Sequence, residues 1–108
     1  MISVRHEPDA RRFAADVGAE EPAVLTYEQG DAGALDLQHT IVPVEARGRG
    51  VADALVRAAV AHAREAGVRL VPTCPYVATW AERHPDEAAV FATGPGGGGL
   101  GDTAGGAG

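Results

Sequence analysis

The chain contains no lysine; its nine basic side chains are all arginines. A Walker A phosphate loop ends in Gly-Lys-Ser/Thr, so a P-loop NTPase is excluded. Positive charge is also scarce, with nine cationic against fifteen acidic residues and a formal net charge of −6. General binding to nucleic acid or to an anionic membrane depends on neutralising phosphates, and this balance argues against both. It suits a cationic partner weakly, or serves solubility alone. A single cysteine, Cys74, rules out an internal disulfide framework and fits a reducing, cytoplasmic location. No apolar run reaches the roughly 18 residues of a membrane span, and the opening "MISVRHEPDARRF" lacks a signal-peptide core. The four histidines and one cysteine show no close ligand spacing, so no metal site is expected.

What is present reads as one small domain, residues 1–93, followed by a glycine-rich tail. From Ala92 the sequence "ATGPGGGGLGDTAGGAG" holds nine glycines. Such a segment buries too little to offset its ordering entropy, so Gly94–Gly108 reads as a flexible tail. Upstream, "ISVRH" is a short β-prone run, "RRFAADVG" a weaker one and "PAVLTYE" a stronger one. "QGDAG" has the residues of a hairpin loop. "ALDLQHTIV" alternates, setting Leu35, Leu37, His39 and Ile41 on one face of a half-buried strand. A helix follows over about Arg49–Ala66, with Val51, Ala52, Leu55, Val56, Ala59, Val60 and Ala63 on one side and Gly67 as its C-terminal cap. "VRLV" is a short buried strand. "TCPYVATWAERH" is a second helix, with Pro75 in its first turn and His84-Pro85 at its end. "DEAAVF" is ambiguous. The order implies a mixed α/β (α+β) domain with a mostly antiparallel sheet and one parallel βαβ step.

The most pointed stretch is "EARGRGVADALV", between a strand and the long helix. The first N–H groups of a helix lack internal partners and carry the positive end of its dipole. Glycines there let the backbone close on an anion. A Rossmann fingerprint is excluded, because Asp53 stands where its third glycine belongs. What remains, Arg47-x-x-Gly50-x-Ala52, matches Q/R-x-x-G-x-G/A. The wider block, "HTIVPVEARGRGVADALVRAAVAHAREAGVRLVPTCPYVATWAERHPD", resembles the GNAT superfamily of N-acetyltransferases, and within it a compact YjdJ-type branch. The positions that carry the likeness are His39, Thr40, Val42, Pro43, Gly48, Gly50, Pro72, Thr73, Cys74, Arg83, His84 and Pro85. The chain departs from larger relatives in lacking the N-terminal helices that build an amine site, and Trp80 stands where a smaller ring is common.

The resemblance implies a compact GNAT-like fold and acetyl-CoA as cofactor. Arg47, Gly48, Arg49, Gly50, Val51 and Ala52 would cradle its pyrophosphate, and the strand end at Ile41 and Val42 would pair with its pantetheine arm. Three residues are candidates for chemistry. Cys74, beside a helix start, is either an activated nucleophile or a small buried hydrophobe. His39 is either a base, or a proton partner of Cys74, or a core histidine. Tyr76 is either an acid for the leaving thiolate or a half-buried aromatic. His6 and His62 read as surface or filler residues, and His84 as the close of the second helix. The leading reading is an acetyl-CoA-dependent N-acetyltransferase acting on an amine, which the acidic surface would favour as a cation. The alternative is a CoA-binding module that recognises a protein partner with little or no catalysis.

Overall fold

Hairpins dominate the first half of the chain because its apolar positions alternate and its turns carry Pro, Gly and Asp. In the computed structural model, which describes residues 2–91, four antiparallel strands run in sequence. They are β1 (Val4–Glu7), β2 (Arg12–Ala15), β3 (Ala23–Gln29) and β4 (Leu35–Ile41). The helix α1 (Val51–Ala66) then crosses to β5 (Leu70–Val71), which lies parallel to β4. The sheet order is therefore β1-β2-β3-β4-β5, the mostly antiparallel sheet with one parallel step that the sequence implies. A second helix, α2 (Pro75–Arg83), and a 3-10 segment over Pro85–Val90 complete the described chain. The expected tail, Gly94–Gly108, lies outside the described residues.

One face of the sheet packs on α1. Phe13, Leu25, Tyr27 and Leu37 of the strands meet Leu55, Val56, Ala59 and Ala63 of the helix, all of them buried. Val77 and Trp80 of α2 and Phe91 join the same core. Gly67 takes a left-handed conformation, φ 71°, and its N–H bonds the Ala63 carbonyl at 2.9 Å, closing α1 where the sequence places the cap. No helix among the described residues is long and apolar enough to cross a membrane.

Three details depart from the sequence reading. The helix α1 starts at Val51, so Arg49 belongs to the loop and not to the first turn. Ala52, assigned above to the buried face, is only half-buried. The third concerns His39. Strict alternation along β4 sets it beside Leu35 and Leu37, facing the core. In the structure Thr26 pairs with His39 and Tyr27 with Leu37, so Gln38 is an extra residue, a β-bulge. A bulge of one residue reverses which side chains face inward. His39 and Ile41 therefore turn outward and are exposed, while Thr40 shares the inner face with its cross-strand partner Leu25.

Candidate functional site

The parallel pairing of β5 with β4 is very short. It covers only Leu35 with Leu70 and Asp36 with Val71. After Pro72 the chain turns away, held by the Thr73 hydroxyl donating to Asp36 and by the Cys74 N–H donating to the Leu37 carbonyl at 2.8 Å. Past Leu37, the edge of β4 on this side has no strand partner among the described residues. A cleft of about 580 Å³ opens there, lined by Thr40, Ile41, Val42, Arg47, Ala52 and Tyr76.

A second cleft, about 230 Å³, continues it over the glycine loop. The two share Val42, Arg47, Ala52 and Tyr76, and the second adds Ala46, Gly48, Gly50, Val51 and Asp53. Gly48 (φ 82°) and Gly50 (φ 77°) are both left-handed, and nothing lies within 4 Å of where a Cβ would sit on either. Gly50 is the N-cap of α1 and offers no side-chain cap. The first intrahelical bond runs from the Ala54 N–H to the Gly50 carbonyl at 3.0 Å. The N–H groups of Val51, Ala52 and Asp53 precede it, so they have no acceptor within the helix. These residues line the glycine-loop cleft at the positive end of the helix dipole, where an anion is favoured. The Arg47 Nε donates to the Val42 carbonyl at 3.2 Å, fastening the loop to the end of β4.

Tyr76, in the first turn of α2, stands over both clefts and is 41% exposed. Burial of its ring pushes the phenol above its ordinary value, and the negative charge of Asp53 pushes it the same way. Arg83 acts in the opposite sense. Asp53 itself accepts from Trp80 Nε1 at 2.7 Å and from Arg57 Nε at 2.8 Å. Burial alone would raise that carboxyl, but the hydrogen bonds from Trp80 and Arg57 hold it below its ordinary value.

Cys74 is the N-cap residue of α2, with its side chain within 3.4 Å of the Thr40 hydroxyl. Burial works to raise the thiol. The Thr40 hydroxyl and the N–H groups of Val77 and Tyr76 outweigh it, and the thiol lies below its usual value. Cys74 is only 5% exposed, however, and lines neither cleft, whereas Thr40, in contact with its thiol, lines the larger one.

Of the expected site residues, Ile41, Val42, Arg47, Gly48, Gly50, Val51, Ala52 and Tyr76 converge on this pair of clefts. Arg49 is exposed and is not among the lining residues. His39 is brought to a different groove, on the outer side of the sheet with Asp9, Arg11, Thr26, Glu28 and Gln38. The side chain that reaches the Cys74 thiol is Thr40. The bulge at Gln38 is the cause, and nothing in the residue pattern announces it. Asp53 and Trp80 were legible only as departures from known patterns, and their pairing depends on how α2 packs against α1.

A family profile described as GCN5-related N-acetyl-transferase matches residues 12–90. The chain belongs to that family. Among curated relatives, Protein NATD1 of Bos taurus is 38% identical over 85 residues, 78% of this chain and 75% of that protein. Protein NATD1 of Xenopus tropicalis is 36% identical over 85 residues, 78% of each chain. The human protein of the same name is also 36% identical, over 78% of this chain and 75% of its own. The fold matches the NMR solution structure of a GCN5-like protein from Staphylococcus aureus, with TM-score 0.67 and 24% identity over 83% of this chain and 87% of that one. The GCN5-related fold implied by the sequence is therefore the fold observed, and an acetyltransferase-type function follows from membership of the family.

Proposed function

We propose that this protein binds acetyl-CoA in the paired clefts and transfers the acetyl group to an amine. The observation that carries the reading is continuity. The unpaired edge of β4 and the glycine loop at the start of α1 line two adjoining clefts that share Val42, Arg47, Ala52 and Tyr76. The site fits such a cofactor on its own chemistry. It offers donors for phosphate oxygens, a strand edge for an amide-bearing arm, and open space above Gly48 and Gly50. When bound, acetyl-CoA supplies the activated acyl group as a thioester.

The residues of the chain do the rest. The amides of Gly50, Val51 and Ala52 would receive the pyrophosphate, with Arg47 adding charge. The end of β4, at Ile41 and Val42, would receive the pantetheine arm. Tyr76 keeps its proton on Oη through neutral pH, because its phenol is raised. It stands on the cleft wall, suited to return a proton to a departing sulfur. Burial of Cys74, which lines neither cleft, supports direct transfer to the amine over a route through the thiol. The amine proton would pass to water, because His39 lines a different groove, on the outer side of the sheet. The net charge of −6 favours a cationic amine.

Calorimetry with CoA, followed by release of free CoA thiol in the presence of an amine panel, tests this. Binding together with amine-dependent thiol release is expected. Binding without release from any amine would leave a CoA-binding module. Absence of binding at millimolar CoA would overturn the assignment of the cleft.

A further inference from the structure

The residue that joins the two walls of the cleft is neither a glycine nor an arginine. Asp53 sits in the first turn of α1, three residues past its N-cap Gly50. A carboxylate at that position is well placed to fold back on the free N–H groups of its own helix. Here it does not. Its Oδ1 accepts from Trp80 Nε1 at 2.7 Å and its Oδ2 from Arg57 Nε at 2.8 Å. Trp80 lies on α2, one turn after Tyr76, and is buried. Its indole stacks on His84, with ring centroids 4.0 Å apart, and Arg57 lies over it at 5.5 Å. The indole is thus held by His84 and Arg57 against its ring and by Asp53 along its N–H edge.

We propose that Asp53 is the positioning residue of this cleft: it ties the helix that carries Tyr76 to the phosphate-binding turn of α1, and its carboxylate, which lines the same cleft, is engaged by Trp80 and Arg57 and not by the free N–H groups of its own helix. This role rests on the reading of the cleft as an acetyl-CoA site and of Tyr76 as its acid. Two consequences follow. The span across the groove, from Gly50 on one wall to Tyr76 on the other, is bridged by a side-chain hydrogen bond between helices, in addition to the packing of Val77 and Trp80 in the core. The carboxylate also faces Tyr76, and its charge opposes formation of a tyrosinate. The other charged or titratable groups around the phenol are Arg47 from the loop and Arg83 and His84 from α2 itself. Of these, Arg83 works against Asp53.

The chain has two tyrosines and one tryptophan, which makes the tie directly observable. In a Tyr27→Phe background, tyrosinate absorbance reports Tyr76 alone, and indole emission reports Trp80. In Asp53→Asn, the amide oxygen still accepts from the indole but the charge is gone. The Tyr76 titration should move to lower pH with Trp80 emission unchanged. In Asp53→Ala both should change. In turnover, Asp53→Ala should lose about tenfold in kcat with KM for acetyl-CoA unchanged, and Asp53→Asn should recover part of the loss; a 1 Å misplacement costs up to about 100-fold. Folded variants in which the Tyr76 titration does not move would overturn the proposal. So would a rise in KM with kcat intact. If Asp53→Ala does not fold, Asp53→Asn carries the test. The two optical readouts need no cofactor, so they remain decisive even if the acetyl-CoA assignment fails.

Discussion

At the scale of single residues, the functional argument depends most on Gly50. Its φ of 77° and the empty space around its Cβ position separate two costs. A side chain there meets nothing in the folded protein, so the structural cost is conformational, about 1–3 kcal/mol for a non-glycine residue held in this region. The functional cost is occupancy, because the side chain would stand where a phosphate approaches the helix amides. Gly50→Val should therefore lower CoA affinity at least about tenfold, beyond any loss of stability. Gly67→Ala is the control. Its φ is 71°, nothing crowds its Cβ position, and it caps the far end of α1. It should lose similar stability and keep CoA affinity. Equal affinities in the two variants, measured by calorimetry, would remove the phosphate-loop assignment. Cys74 makes a second case at this scale. Its thiol is polarised by the start of α2, yet it is buried and lines neither cleft. With direct transfer, Cys74→Ala should retain most of its turnover, and protein incubated with acetyl-CoA should show no acetyl adduct by mass spectrometry. An adduct on Cys74, with turnover abolished in the alanine variant, would establish the covalent route instead.

At the scale of elements, the contact of β1 and β2 with α1 carries a pH dependence. His6 on β1 stacks on Phe13 of β2, centroids 4.4 Å apart, and meets His62 of α1 edge-on at 4.4 Å. Its Nε2 lies 2.6 Å from the Tyr27 hydroxyl. These histidines, read from the sequence as surface or filler residues, thus form a partly buried junction. Burial lowers the His6 pKa, and the neighbouring His62 lowers it further. The unfolded chain then binds a proton more readily than the folded one near pH 6.5, so stability is complete above that pH and declines as pH falls below it. The urea midpoint should fall from pH 7.5 to 5.5, and should fall less in His6→Phe. An identical decline in the variant would show that His6 is not the group responsible. The elements also show what was legible in the sequence and what was not. Helices and hairpins rest on local signals: Gly67 at a cap, Pro75 at a first turn, Gly30 and Asp31 in a loop. All of these elements appear in the structure. The parallel step was legible from the order strand, helix, strand. The outward turn of His39 was not, because one inserted residue reverses a face without altering composition or alternation. The Asp53–Trp80 tie was not legible either, since it joins positions 27 residues apart through the packing of two helices.

At the scale of the whole molecule, charge and architecture concentrate on the same place. Five of the nine arginines, Arg5, Arg11, Arg12, Arg57 and Arg64, are paired with carboxylates. Arg69 donates to the Ala89 carbonyl. Among the described residues, the arginines outside these carboxylate pairs include Arg47 and Arg49 on the glycine loop and Arg83 near the end of α2. An acidic body thus keeps local positive charge beside the clefts, the distribution needed to hold an anion against a net charge of −6. The same place is the weakest joint of the fold. Only two residue pairs connect β4 to β5, and α2 reaches across the opening to α1 through Trp80 and Asp53. A ligand that contacts β4, the loop and α2 together would bridge elements that the sheet itself barely connects. CoA at a hundredfold excess over its Kd should stabilise the folded state by about 2.7 kcal/mol, which for a small domain raises Tm by several degrees or more. Amide exchange should slow most at Thr40–Val42 and Val51–Ala54, and least in β1 and β2, which lie toward the opposite edge of the sheet. Protection spread evenly over all strands would place the ligand elsewhere. An unchanged Tm at millimolar CoA would mean that the gap between β4 and β5 is only a packing feature, with no ligand to close it.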